Sequence, residues 1–101
     1  MQMNRKDIIS FLRSVFDSFN DGLISEAYLF GSYARGDYNA FSDLDIAVYT
    51  ENYMLFCKIC NFIENKLDVM RKLDIHMIQK NNFDKEFIFD EKEIKSGIRL
   101  C

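Results

Sequence analysis

A small mixed β-sheet with helices packed on one face, an α/β (α+β) architecture forming a single domain over 1–101, is the fold class predicted by three observations. A length of 101 residues suits one modest core and is too short for two. Two segments, 43–49 and 73–78, alternate apolar and polar residues with the period of a half-buried strand. Apolar stripes of helical period flank them, giving the order α-β-(turn)-β-α-β-α.

Each element follows from local pattern. Over 6–19, Ile8, Leu12, Val15, Phe16 and Phe19 share one helical face, and Asn20-Asp21-Gly22 supplies a stop. Residues 25–30 (SEAYLF) read as a strand running into Gly31. A short helical turn follows over 32–36, with Ser32 as its cap and Gly36 as its end, before the turn-prone Asp37-Tyr38-Asn39. In the second strand Leu44, Ile46 and Val48 face one way, and Asp43, Asp45, Ala47 and Tyr49 the other. Residues 52–69 place Phe56, Ile59, Cys60, Ile63 and Leu67 on a helical stripe. The third strand opposes Leu73, Ile75 and Met77 to Asp74, His76 and Ile78. A last helix is expected over roughly 83–95, capped by Asn81 or Asn82 and ended near Gly97. The aspartates fall on the sheet face turned away from the helices.

Composition narrows the function classes. Hydrophobic residues make up 49% and charged residues 29%, an ordinary globular balance. Ten Phe and five Tyr with no Trp and no Pro suggest apolar surface left over for a partner. Net charge is −3 and no basic stripe stands out, so nucleic acid is not an expected ligand, which leaves room for a small polyphosphate only where metal ions carry the compensating charge. The opening MQMNRKDII has no apolar signal core and no run reaches membrane-spanning length, so the cytoplasm is the expected location and no membrane association is expected. Three cysteines, Cys57, Cys60 and Cys101, fit a reducing compartment. Cys57-Lys-Ile-Cys60 spells C-x-x-C, but its place on a helical stripe favours structural thiols over redox or zinc chemistry.

The chemistry concentrates in GSYARGDYNAFSDLDIAVYT, residues 31–50. Asp43 and Asp45, two apart on a strand, point the same way with Cα atoms about 6.5–7 Å apart. Solvated carboxylates on an exposed strand face are the ordinary explanation for such a pair. That spacing also suits two divalent ions roughly 3.5–4 Å apart, the separation used in in-line phosphoryl displacement. Asp74 lies on the non-core face of another strand and joins the patch if that strand is a neighbour. Three such carboxylates repel, which Mg²⁺ relieves as a hard ion preferring carboxylates and substrate phosphates. Gly31-Ser32 at a strand end adds a backbone that approaches phosphate closely, amide donors and a hydroxyl.

This stretch resembles the signature of the nucleotidyltransferase superfamily related to DNA polymerase beta: Gly-Ser, a spacer, then Asp-x-Asp. In its fuller form, Gly31-Ser32-x-Ala34-Arg35-Gly36 followed by Ser42-Asp43-Leu44-Asp45, it is similar to the minimal nucleotidyltransferases, many of which act as antitoxins beside HEPN-domain toxins. Leu73-Asp74-Ile75 matches the strand of the third carboxylate, and Glu93-Ile94…Gly97-Ile98-Arg99-Leu100 the family's usual close. The resemblance implies a polymerase beta-like palm fold and two Mg²⁺ ions held by Asp43, Asp45 and Asp74. It further implies ATP or another NTP gripped by Gly31 and Ser32, and a HEPN toxin as partner. Arg35 either contacts the triphosphate or fastens the turn through an ion pair to Asp37 or Asp43. Ser42 caps the turn before the strand within the nucleotide site. His76 shares the face of Asp74, either bordering the site or standing as a surface histidine.

The larger relatives add a helical domain over the nucleotide, and here the expected cleft is half open, closed by a second protomer in a homo-oligomer or by a partner. Three functions follow. The first is transfer of NMP, AMP being expected, to a hydroxyl such as a toxin tyrosine. The second is a non-catalytic antitoxin that masks its partner. The third is adenylyl transfer to a small molecule of the aminoglycoside type.

Overall fold

The computed structural model describes residues 4–19, 22–38, 42–67, 72–79 and 91–101. Their order is α1 (Arg5–Phe19), β1 (Ile24–Phe30), α2 (Gly31–Arg35), β2 (Leu44–Thr50), α3 (Tyr53–Lys66), β3 (Leu73–Ile78), α4 (Glu91–Lys95) and β4 (Ile98–Arg99). The strands form one mixed sheet in the order β3-β2-β1-β4, antiparallel between β1 and both β2 and β4 and parallel between β2 and β3.

The helical stripes read from the sequence become the core. Asn4 accepts the Asp7 backbone N–H at 2.8 Å and so caps α1, whose Ile8, Leu12, Val15 and Phe16 are buried. Asn52 caps α3 in the same way through the Leu55 N–H at 2.9 Å. The α3 residues Ile59 and Ile63 are fully buried, while Phe56, Cys57 and Cys60 are only partly so. Burial raises the Cys60 thiol to about 11, so it stays protonated and packs as an apolar group. Leu44, Ile46 and Val48 of β2 meet α1 and α3 in one cluster.

The opposite face of the sheet is also covered. Tyr28, Phe30, Ala47, Tyr49 and Ile78 form a second buried cluster there, joined by Ile94 of α4. Asp45 therefore sits at one end of a face whose next same-side residues, Ala47 and Tyr49, are buried. Lys95 fastens α4 to β1 through Glu26 at 3.5 Å. Gly97 completes the joint, because a Cβ there would collide with the Leu29 carbonyl oxygen and lie 3.0 Å from Phe30 Cα. The chain beyond Gly97 continues as β4, pairing Ile98 with Leu29 and Arg99 with Tyr28. The expected last helix is described over Glu91–Lys95; its proposed start and its Asn81 or Asn82 cap lie outside the described residues.

Candidate active site

The end of β1, the start of α2 and the start of β2 lie together where β1 turns into α2. Gly31 adopts φ +79°, the left-handed region that favours glycine. It also lies against Asp45: a Cβ on Gly31 would stand 2.5 Å from Asp45 Oδ2. The antiparallel register explains the approach, since Phe30 pairs with Asp45. Ser32 does not cap α2 as the sequence suggested. The turn starts one residue earlier, at Gly31, so Phe30 takes the cap position without a side-chain bond and Ser32 falls inside the first turn. Gly36 ends α2 as expected, in the left-handed conformation, donating its N–H to the Ser32 carbonyl at 3.1 Å.

The parallel pairing of β2 with β3 puts Asp74 in register with Asp45. The Leu44 N–H donates to the Lys72 carbonyl at 2.9 Å, tying the entries of the two strands together. Asp43 precedes β2 and is partly buried, as are Ser42 and Asp45. Burial, then the charges of Asp74 and Asp43, raise the Asp45 carboxyl to about 6, with Glu93 adding to the rise and Arg35 opposing it. Lys72 Nζ stands 3.5 Å from Asp74 Oδ1 and offsets part of the repulsion.

Arg35 is an exposed side chain at the end of α2. Its Nε reaches Asp37 at 3.5 Å, the turn-fastening contact weighed from the sequence, and its Nη1 reaches Glu93 of α4 at 3.4 Å. His76 is partly buried, with its ring centroid 6.2 Å from that of Phe30. Burial lowers its pKa against the pull of Asp74, which favours the neutral form. Two contacts here carried no local signal. Arg5 donates to the Tyr33 and Ala34 carbonyls at 3.2 and 2.8 Å, satisfying the end of α2 from α1. Glu93 is brought beside Arg35 only by the packing of α4.

The donor set of Asp43, Asp45 and Asp74 is oxygen-only, and a cation would relieve the charge that raises Asp45. Among the described residues no three potential ligands are close enough to cage an ion unaided. Mg²⁺ does not require that, because it commonly takes one or two carboxylates and completes its shell with water and phosphate oxygens. The residues therefore fit the ion as one shared with a substrate.

An open cavity of about 640 Å³ lies at the far end of β2, lined in part by Leu23, Tyr49, Tyr53, Met54 and Ile78. Leu23, Tyr53 and Met54 are exposed. This surface is separate from the carboxylates.

The fold is that of a nucleotidyltransferase domain. The family described as Polymerase beta, Nucleotidyltransferase matches residues 10–101, and the chain belongs to it. A Sulfolobus solfataricus protein whose own nucleotidyltransferase assignment is provisional has a similar fold, with a TM-score of 0.55 at 17% identity over 94% of this chain and 80% of that one. Two mutant structures of the MntA-HpeT toxin–antitoxin are also similar, at 27% and 24% identity with TM-scores of 0.44 and 0.45. They match 82% and 81% of this chain, which spans 61% of theirs. No curated protein matches the chain. Among the described residues no helix is long and apolar enough to cross a membrane.

Proposed function

We propose that this domain transfers NMP, with AMP from ATP expected, to a hydroxyl, and that a tyrosine of a HEPN-domain toxin is the acceptor. The observation that carries the transfer chemistry is the Gly31–Asp45 approach with Asp74 in register beside it. It sets a bare backbone turn, suited to phosphate, against a pair of carboxylates on adjacent strands. Asp43 and Asp45 would hold Mg²⁺ on the triphosphate, and Asp74 would share the ion nearer the acceptor, two ions in all. The chemistry supplied by bound Mg²⁺ is charge neutralisation on the phosphoryl oxygens and the leaving pyrophosphate. Gly31 and Ser32 bind the β- and γ-phosphates, Arg35 adds a guanidinium fork, and Ser42 borders the nucleotide. The acceptor oxygen bonds to the α-phosphorus as the bond to pyrophosphate breaks, and Asp74 takes the hydroxyl proton.

Asp74→Asn separates these roles. It should lower the chemical step about 100-fold or more while leaving Mg-ATP binding nearly unchanged, since Asp43 and Asp45 still hold the phosphates. Calorimetry beside single-turnover kinetics reads both quantities. Equal loss of binding would make Asp74 a primary nucleotide ligand instead.

The toxin target rests on the likeness of Gly31–Gly36 and Ser42–Asp45 to the minimal nucleotidyltransferases. The exposed Leu23, Tyr53 and Met54 favour a second reading, in which the domain masks a partner without modifying it. Co-expression with a HEPN toxin distinguishes the two. Catalysis leaves the toxin heavier by one or more AMP units and inactive after the proteins are separated. An unmodified toxin that recovers once freed would establish masking.

A further inference from the structure

We propose that Glu93 is a positioning residue for Arg35, holding the guanidinium at the edge of the Gly31 turn in the nucleotide-free domain and releasing it to an incoming triphosphate. The inference rests on the nucleotidyl-transfer reading above and adds the helix that tunes nucleotide affinity.

Glu93 and Arg35 are 58 residues apart in sequence, and their contact joins α4 to the end of the turn that begins at Gly31. The anchor on the α4 side is firm. Ile94 is buried in the second cluster, the Gly97 N–H bonds to the Ile94 carbonyl, and Gly97 has no room for a side chain against β1. Gly31, Ala34, Arg35, Glu93, Ser96 and Gly97 border one small cleft of about 80 Å³, so the pair lies beside the backbone assigned to phosphate.

The pair is built for exchange rather than for stability. Its N–O distance is 3.4 Å, long for a charge-assisted hydrogen bond, and the side chains are 56% and 46% exposed. Exposed pairs of this kind contribute about 0–1 kcal/mol. A triphosphate presents denser negative charge than one exposed carboxylate and takes two guanidinium N–H groups at once, where Glu93 holds Arg35 by a single long contact, so the guanidinium moves to it readily. Asp37, the other partner at 3.5 Å, is two residues from Arg35 and likewise exposed to solvent, so its hold on the guanidinium is no stronger.

The test is calorimetric titration of Mg-ATP, without acceptor, into the unsubstituted protein, Glu93→Gln, Arg35→Gln and the double variant. Glu93→Gln should bind about two- to fivefold more tightly, the range set by losing an exposed competitor. Arg35→Gln should bind more weakly, and adding Glu93→Gln to it should restore nothing. Glu93→Ala should match Glu93→Gln, so the result does not hang on one variant. A plain staple between α4 and α2 would lower the melting temperature and leave affinity unmoved, which would overturn the proposal. A gain that persists without Arg35 would overturn it too, as direct repulsion between Glu93 and phosphate. If the unsubstituted protein binds no nucleotide, the transfer reading falls and this inference with it. Binding with no response at Glu93 removes the inference alone.

Discussion

Asp45→Asn is expected to abolish nucleotidyl transfer while raising the melting temperature at neutral pH. The carboxylate carries the triphosphate's ions in the proposed reaction, and it is Asp45 whose side chain stands against Gly31. The stability gain follows from its titration. The folded-state value of about 6 lies above the ordinary 3.8 because burial and then the charges of Asp74 and Asp43 disfavour the ionised form. A carboxyl raised in the folded state is held protonated there after the unfolded chain has lost its proton. Its contribution is therefore full below about pH 4 and is lost as pH rises to about 6. At pH 7 the ionised side chain destabilises the fold, by about 1 kcal/mol after allowance for its solvent exposure. Asparagine removes the charge, so the variant should melt about 5 °C higher at pH 7 and nearly level with the parent below pH 4. Thermal melts across that range, with transfer from labelled ATP measured beside them, check both halves. Wild-type transfer in the variant would remove Asp45 from the mechanism, and a lower melting temperature at pH 7 would contradict the electrostatic account.

Gly31→Ala should cost both stability and activity, and Gly36→Ala stability alone. Both glycines have positive φ, +79° and +91°, where a Cβ costs about 1–2 kcal/mol and roughly 5–10 °C of melting temperature in a domain of this size. They differ in what the Cβ would meet. At Gly36 there is nothing within 4 Å, whereas at Gly31 Asp45 Oδ2 is 2.5 Å away. Asp45 is short and can swing aside, so the fold should survive with its carboxylate displaced. A misplacement of about 1 Å can cost 10²-fold in rate, which sets the loss expected for Gly31→Ala. Comparable melting temperatures with transfer lost only in the Gly31 variant would tie the glycine to the site. Equal activity in the two would show that the Gly31–Asp45 approach has no part in catalysis.

Much of this architecture is legible in the sequence. The stripe of Ile8, Leu12, Val15 and Phe16, the alternation in 43–49 and 73–78, and the stop at Gly36 all follow from local periodicity and backbone preference, which the sequence carries directly. The side of β2 that Asp45 occupies was legible for the same reason, since residue spacing fixes which face of a strand a carboxylate takes, whereas Asp43 stands one residue before the strand begins. The Ser32 cap was misread because one residue decides whether a side chain stands before a helix or inside it, and the flexible Gly31 let the helix begin early.

The sequence by itself determined the types of the elements through β3, the sheet face that Asp45 and Asp74 occupy and the family signature, since each is written within a few consecutive residues. Only the tertiary structure decided that β3 pairs with β2 in parallel, which brings Asp74 opposite Asp45. It alone decided that Ile98-Arg99 forms an edge strand on β1, that Ile94 buries Ala47 and Tyr49 from the second face, and that Glu93 meets Arg35. These are contacts between segments far apart in the chain. Strand order and helix docking are selected by burial of whole faces against one another, and no local run of residues records which face will be chosen.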